Sequence, residues 1–317
     1  MFLENYGQGE SFMLSLKLVK GAILQTSGFT FIKNGLTLGY PILESVLSIE
    51  PLCDEVVINV GFNNPECTED DGTEEYLRDN LTGSKYKFIK SWWDPNIQKS
   101  GLILSQQTNI ALDQCRGKAC QYIQGDEVLH EDDLVNIENG IKELIDRNDL
   151  EALVYNYIHF FGNVDIYKYT RTIYRREVRT VKNGTGIRSH LDAQGFRFPD
   201  GRKPFAKLID ARIFHYGWAR SEQVMAKKIK SFDKLYHGKD YESSEDWSYK
   251  KVFGLKQFKD THPKLMAKWI EENRNDLSLD SLESDFRMKH IRMAISDYIE
   301  SLTGYRIGEF KNYKLVK

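Results

Sequence analysis

The sequence predicts an α/β protein with a mostly parallel sheet that is flanked by helices, and three observations support this prediction. Between residues 23 and 160, short apolar runs alternate with segments whose apolar residues recur at helical spacing. Residues 55–61 form a continuous β-branched run, which is typical of a strand buried on both faces. The links between these segments are short, and alternating strands and helices with short links form doubly wound parallel sheets.

The strands and helices are predicted in order along the chain. Strands are expected at 23–32, 55–61, 86–89, 119–123 and 153–160, with helices at 40–51, 74–81, 105–114 and 133–147. The pattern changes after residue 167, where strands at 171–181 and 205–214 flank a Gly-rich polar connection, and it becomes helical and highly charged after Trp218. We therefore expect an N-terminal extension (1–22), a main α/β domain (23–220) and a helical C-terminal region (221–317).

Composition narrows the class of protein further. The chain has 317 residues, of which 41% are apolar and 28% charged, and a formal net charge of −2. This charge gives no overall attraction to nucleic acid or to an anionic membrane. The four cysteines form no CxxC pair, and no apolar run reaches the roughly 18 residues of a membrane span. A cytoplasmic protein is expected.

Two adjacent carboxylates, Asp126 and Glu127, follow the apolar run 119–123 and precede a polar helix start at 131–133. Carboxylates that follow a buried strand are well placed to hold a divalent metal against a phosphate. The alternative is that Asp126 only caps the following helix. The residues alone leave both interpretations open.

Ligands of such sheets bind beyond the carboxyl ends of the parallel strands. The corresponding segments here, 29–34, 61–71, 91–94 and 124–127, combine aromatic, amide and carboxylate side chains that suit a base, a ribose and a metal. No GxGxxG follows the first strand and no GxxxxGK[ST] occurs, which disfavours dinucleotide binding and P-loop chemistry.

Four segments in this order resemble the GT-A core of family 2 glycosyltransferases: TSGFTFIKNG (26–35), CDEVVINVG (53–61), QTNIA (107–111) and IQGDE (123–127). YRREVR (174–179), DAQGFR (192–197) and FHYGWAR (214–220) resemble a bacterial and phage-associated branch of that family. The resemblance covers about residues 24–220. It implies transfer of a sugar from a nucleotide-diphosphate donor such as a UDP- or GDP-sugar, with inversion at the anomeric carbon and with Mn²⁺ or Mg²⁺ on the diphosphate.

The resemblance also implies a set of site residues. The chain departs from the family pattern where Gln124-Gly125-Asp126 replaces Asp-x-Asp and where the second strand ends in Asn59-Val60-Gly61 rather than an Asp pair. Asp126 is then the matched metal ligand and His215 a further one, the alternative for His215 being a packed histidine. The residues assigned to the nucleotide-sugar are Phe29, Thr30, Asn34, Asp71, Trp93, Gln107, Gln124 and Arg179.

Inversion requires a base that deprotonates the acceptor hydroxyl. Asp192, in a loop-like stretch, is the favoured candidate, with Glu127 second. Glu177 lies among Arg175, Arg176 and Arg179, whose charges are expected to depress its pKa and weaken it as a base. These arginines could neutralise the diphosphate or hold an acidic acceptor. The alternative is a solvated or salt-bridged strand. His159 is interpreted as a core residue or a sugar contact.

The acceptor is the substrate that the sequence predicts least well. A glycan, a small molecule and a modified DNA base are considered, the last because residues 227–259 are basic and carry aromatic side chains. A catalytically inactive GT-A module that serves as a scaffold or binds glycans is the main alternative function. A nucleotidyltransferase is disfavoured, because no Gly-rich basic loop follows the first strand.

Overall fold

A computed structural model describes residues 25–97, 101–170, 172–237, 241, 247–282 and 288–316. The predicted N-terminal extension lies outside the described residues. None of the helices in the described part of the chain has the length and hydrophobicity needed to cross a membrane.

Strands and helices alternate through the first half of the chain, as the sequence predicts. The strands are β1 (Thr26–Ile32), β2 (Glu55–Phe62), β3 (Tyr86–Trp92), β4 (Ala119–Tyr122), β5 (Glu127–Leu129), β6 (Ala152–Phe161), β7 (Asn163–Lys168), β8 (Arg176–Lys182), β9 (Arg188–His190), β10 (Gly195–Arg197), β11 (Phe205–Trp218), β12 (Leu255–Gln257) and β13 (Lys314–Leu315). The helices are α1 (Ile42–Ile49), α2 (Thr73–Asn80), α3 (Leu102–Leu112), α4 (Leu134–Asp146), α5 (Glu222–His237), α6 (Ala267–Asn273) and α7 (Lys289–Thr303).

The first four sequence-predicted strands form the parallel part of the sheet. Their order is β3-β2-β1-β4, with β1 pairing in parallel to both β2 and β4. Beyond β4 the pairing is mixed: β8 is antiparallel to β4 and β6, whereas β6 is parallel to β11. The α/β fold class is therefore confirmed, with parallel pairing concentrated in the N-terminal half.

Helices cover both faces of this sheet. Side chains of β2 point alternately to either side, and those of each face pack against different helices. Val56, Ile58 and Val60 pack in one core with residues of α1, α2 and α4. Val57 points the other way and packs with Ala111 and Leu112 of α3. Every residue of β2 is buried, which explains its continuous apolar run.

Among the described residues after Trp218, most of the regular secondary structure is helical, but the region also contributes to the sheet. β12 pairs with β7 and β13 pairs with β11. Helix α5 follows β11 directly and carries side chains to the candidate site described below.

Candidate functional site

A cavity of about 680 Å³ opens at the carboxyl ends of the parallel strands. Its volume lies in the usual range for small-molecule sites. Its wall is formed by the end of β1, the segments after β3 and β4, the β9–β10 hairpin, β6, β11 and α5. Side chains that line it include Phe31, Lys33, Asn34, Tyr40, Trp93, Gln124, Asp126, His159, Asp192, Gln194, His215, Trp218, Lys228, Asp233 and Tyr236.

Asp126 is the charged centre of this cavity. Its Oδ2 atom lies 3.5 Å from His215 Nε2 and 3.3 Å from Lys228 Nζ. Burial opposes ionisation, but the neighbouring His215, Lys228 and Arg220 outweigh it and hold the pKa of Asp126 well below its usual range. Asp126 is therefore an ionised carboxylate at the cavity wall.

The alternative role of Asp126 as a helix cap is wrong. β5 separates it from the helix start at Glu131, and His130 is the capping residue, with Nδ1 accepting from the backbone N–H of Asp132 at 3.1 Å. His130 thus belongs to the helix start.

His215 is oriented by a second histidine. His159 Nε2 lies 2.8 Å from the carbonyl oxygen of Tyr174, which can only accept, so this nitrogen carries a hydrogen. Burial lowers the pKa of His159 well below its usual range, so the ring is neutral and its Nδ1 accepts from His215 Nδ1–H at 3.3 Å. The remaining nitrogen of His215, Nε2, faces the Asp126 carboxylate.

Asp126 and His215 fit the donor set of a divalent cation. A carboxylate oxygen and an imidazole nitrogen 3.5 Å apart can both bind one ion, and the His159 contact fixes the ring orientation, as hydrogen-bond partners of metal-bound histidines do. An imidazole favours Mn²⁺ over Mg²⁺. Water and substrate oxygens would complete the coordination, as is usual for such ions in phosphate sites.

Asp192 reaches the same cavity from the loop of the β9–β10 hairpin. It lies between Leu191 and Ala193, which have φ angles of 52° and 60°. Non-glycine residues at positive φ are strained and occur often at functional sites. Asp192 is half-buried, and its Oδ2 accepts from the hydroxyl of Tyr236 at 3.2 Å. The hairpin thus holds this carboxylate at the cavity.

Trp93 forms an aromatic wall with Phe31, at a ring-centroid distance of 5.8 Å. Lys33 Nζ lies 5.1 Å from the Trp93 ring, and burial lowers the pKa of Lys33 to about 8. The indole packs directly on Gly61, where an added Cβ would overlap Trp93 Nε1. A small residue at the end of the second strand is therefore required by Trp93.

Gly61→Ala is expected to displace Trp93 and to destabilise the fold by about 1–3 kcal/mol, the usual cost of overpacking. Urea denaturation measures this change. Gly125→Ala is the matched control, because its added Cβ would meet Ile42 Cγ2 at an ordinary 3.4 Å. Equal stability of the two variants would contradict the packing role of Gly61.

Of the residues predicted to bind the nucleotide-sugar, Asn34, Trp93 and Gln124 line the cavity. Phe29 and Thr30 do not: both are fully buried in the middle of β1, which continues to Ile32 between two parallel neighbours. The Phe29 ring stacks on Tyr122 at 5.0 Å. These two assignments are corrected, and the rim of the cavity begins at Phe31.

Asp71 and Gln107 support the site without lining the cavity. Asp71 accepts from the backbone N–H of Thr37 at 2.7 Å and from Thr73, and so ties the loop after β1 to the start of α2. Gln107 is fully buried, and its Nε2 donates to the Trp92 carbonyl at 3.1 Å. The two residues hold the loops that carry Asn34 and Trp93, and the structure does not place either of them in the cavity lining, where the donor contacts are predicted.

Glu127 and Arg179 form a fully buried ion pair. Arg179 donates to both carboxylate oxygens, at 2.7 and 2.9 Å, and Tyr157 donates to Oε1 at 2.8 Å. Neither charged side chain has any exposed surface. The structure therefore places Glu127 against Arg179 and Tyr157 rather than at the cavity, and neither Glu127 nor Arg179 lines the cavity, contrary to both assignments.

The other charged residues of this region are also structural. Burial raises the pKa of Glu177, so the predicted depression by neighbouring arginines is wrong. Arg175 pairs with Glu300 and Glu309 at 2.6 Å, and Arg176 Nε donates to Asn156 Oδ1 at 3.0 Å. The salt-bridged alternative is thus confirmed for Arg175.

Lys228 is a site residue that the sequence does not predict. It belongs to the basic run 227–230, whose charges predict a solvated helix face, yet Lys228 is buried while Lys227 and Lys230 are exposed. The signal that could have found it is its helical spacing from the buried Met225, three residues earlier.

No protein-family model and no curated protein matches the chain. Among solved structures, S. aureus TarS 1–349 in complex with UDP-GlcNAc is 19% identical over 44% of this chain and 35% of that one, with a TM-score of 0.30. S. aureus TarS is 12% identical over 70% of this chain and 41% of that one (TM-score 0.35). A nucleotidyl transferase from Methanothermobacter thermautotroptrophicus is 10% identical over 50% and 71% (TM-score 0.27). The chain thus spans less than half the length of the TarS chains, and TM-scores this low do not establish a common fold.

Proposed function

We propose that this protein is an inverting glycosyltransferase that moves a sugar from a nucleotide-diphosphate donor to an acceptor hydroxyl. The observation that carries the proposal is that one cavity at the carboxyl edge of the parallel strands contains the ionised Asp126, the carboxylate of Asp192 and the aromatic wall of Trp93. The sequence resemblance to family 2 glycosyltransferases supports the same reaction.

In this proposal Asp192 takes the proton of the acceptor hydroxyl. The acceptor oxygen attacks the anomeric carbon, and the bond from that carbon to the diphosphate oxygen breaks on the opposite face, with the electron pair leaving on the diphosphate. Asp126 and His215 would hold a Mn²⁺ or Mg²⁺ ion. When bound, this ion supplies Lewis-acid neutralisation of the leaving diphosphate.

The nucleoside is proposed to lie at the rim formed by the ends of β1 and β3. The aromatic wall of Trp93 and Phe31 offers a surface for a base. The Asn34 amide offers both donors and acceptors to the same ligand. Neither group distinguishes UDP from GDP, so the nucleotide has to be found by screening.

For the acceptor, the basic segment 227–259 supplies fewer aromatic contacts than its sequence indicates. Tyr249 is buried, its hydroxyl donates to the Trp218 carbonyl at 2.7 Å, and its ring packs on Trp247 at 4.4 Å. Tyr236 and Tyr241 remain exposed. A DNA acceptor would show steep loss of affinity with salt, which separates it from a glycan or a small molecule.

A screen of UDP- and GDP-sugars tests the proposed function. We expect one donor to raise the melting temperature and to release its nucleoside diphosphate in the presence of Mn²⁺. Donor binding without turnover for any acceptor would favour the inactive GT-A module. No binding of any nucleotide or nucleotide-sugar would contradict the proposal.

Asp126→Ala is expected to abolish the increase in donor affinity that Mn²⁺ causes, because it removes the single carboxylate of the proposed metal pair. Titration calorimetry with and without Mn²⁺ measures this increase. Glu138→Ala is the control, because Glu138 is an exposed carboxylate of α4 outside the cavity lining. An unchanged Mn²⁺ effect in Asp126→Ala would contradict the metal assignment.

A further inference from the structure

Lys228 places a fixed positive charge at the carboxylate that the proposed metal would bind. Its Nζ donates to the Gly217 carbonyl at 2.7 Å and lies 3.3 Å from Asp126 Oδ2. The side chain is 7% exposed and lines the cavity. Gly217 allows this arrangement, because a Cβ at this position would overlap Asp126 Oδ2.

A second buried cation contacts the same aromatic side chain as Lys228 but does not line the cavity. Arg220 is 1% exposed, and its guanidinium centre lies 5.1 Å from the ring of Tyr40 and 4.6 Å from that of Trp269. Its three guanidinium nitrogens have no hydrogen-bond partner among the described residues. The ammonium of Lys228 lies 5.0 Å from the centre of the same Tyr40 ring, so both cations contact one aromatic side chain.

Among Asp126, Lys228 and Arg220, one carboxylate faces two cations. Two further carboxylates, Asp192 and Asp233, line the cavity wall. The buried guanidinium of Arg220 has no hydrogen-bond partner among the described residues, and burial of a cation without such a partner is unfavourable. An anion that entered the cavity beside Lys228 would bring negative charge to these two cations, and a diphosphate is such an anion.

We propose that Lys228, supported by the charge of Arg220 at the same Tyr40 ring, binds the diphosphate of the donor directly, so that diphosphate binding does not require a divalent metal. This inference rests on the proposed function. Lys228 would donate to a diphosphate oxygen from the wall of the cavity, and Arg220 would contribute through its charge. Lys228 would also compete with a metal ion for the Oδ2 atom of Asp126.

A purely structural Lys228–Asp126 ion pair makes a different prediction. In that case the removal of Asp126 only destabilises the fold and leaves metal-free nucleotide binding unchanged or weaker. If the cluster binds diphosphate, Asp126→Asn removes the competing carboxylate and strengthens metal-free binding. The sign of this change therefore separates the two roles.

The experiment is titration calorimetry in EDTA with uridine, UMP, UDP and inorganic pyrophosphate, repeated with the guanosine series. For the nucleoside that binds, we expect affinity to rise with each phosphate and pyrophosphate to compete with the diphosphate. Lys228→Gln is expected to weaken diphosphate binding about 10- to 100-fold, as loss of a charged hydrogen bond does, and to leave nucleoside binding unchanged. Asp126→Asn is expected to strengthen diphosphate binding.

Lys227→Gln is the matched control, because it removes the same charge from the neighbouring, exposed position of α5. If Lys228→Gln does not fold, the inference is tested instead by the affinity of the Lys228→Arg and Asp126→Asn variants for the diphosphate. Equal affinity for nucleoside and diphosphate in EDTA, or diphosphate binding only with metal, would overturn the inference while leaving the proposed function standing. If neither nucleosides nor nucleotides bind under any condition, both proposals fail.

Discussion

Asp192→Asn is expected to reduce turnover by about 100- to 10,000-fold, the usual contribution of a general base, while donor affinity stays within about twofold. An amide has nearly the shape of the carboxylate, but it cannot take the proton of the acceptor hydroxyl. Because Asp192 is held by the hairpin between two residues at positive φ, the substitution should leave the loop in place. Steady-state kinetics and donor titration measure the two quantities separately.

Asp233 provides the control for this prediction, because it is another carboxylate that lines the cavity. Asp233→Asn is expected to keep most of the turnover. If instead Asp192→Asn retained near-normal turnover and Asp233→Asn lost it, the base would be Asp233. If neither substitution reduced turnover, base catalysis by a carboxylate of this cavity would be wrong.

The parallel half of the sheet could be predicted because its signals are local. A β-branched run followed by a segment of helical periodicity predicts a strand and the helix that packs on it. The second half could not be predicted in the same way, since β6 pairs with β8 and β11, which follow it by tens of residues. Such pairing depends on register between distant segments, which periodicity does not give.

The sequence predicts which segments reach the cavity better than it predicts which of their side chains do. The sequence indicates that residues after β4 reach the cavity, but Asp126 and Glu127 are adjacent and point to different surroundings. Asp126 faces the cavity, whereas Glu127 pairs with Arg179 inside the protein. Lys228 lies 102 residues from its partner Asp126, so only the packing of α5 brings them together.

The buried pair of Glu127 and Arg179 should have the largest effect on stability. Arg179→Met is expected to lower the free energy of unfolding by about 3–5 kcal/mol, because it leaves a buried carboxylate without its partner. Urea denaturation measures the change. Arg147→Met is the control, since it removes a half-exposed arginine whose ion pairs with Glu143 and Asp149 lie at the surface.

The double variant Glu127→Gln/Arg179→Met tests whether the uncompensated charge causes this loss. A glutamine at position 127 would be neutral and could still accept from Tyr157, so the double variant should be more stable than Arg179→Met alone. A double variant no more stable than the single one would show that packing of the arginine, rather than its charge, stabilises this region. The single variant Glu127→Gln then decides the role of the carboxylate. A buried structural pair predicts a loss of stability with retained turnover per folded molecule. If the variant folded normally but lost turnover, Glu127 would act in the reaction.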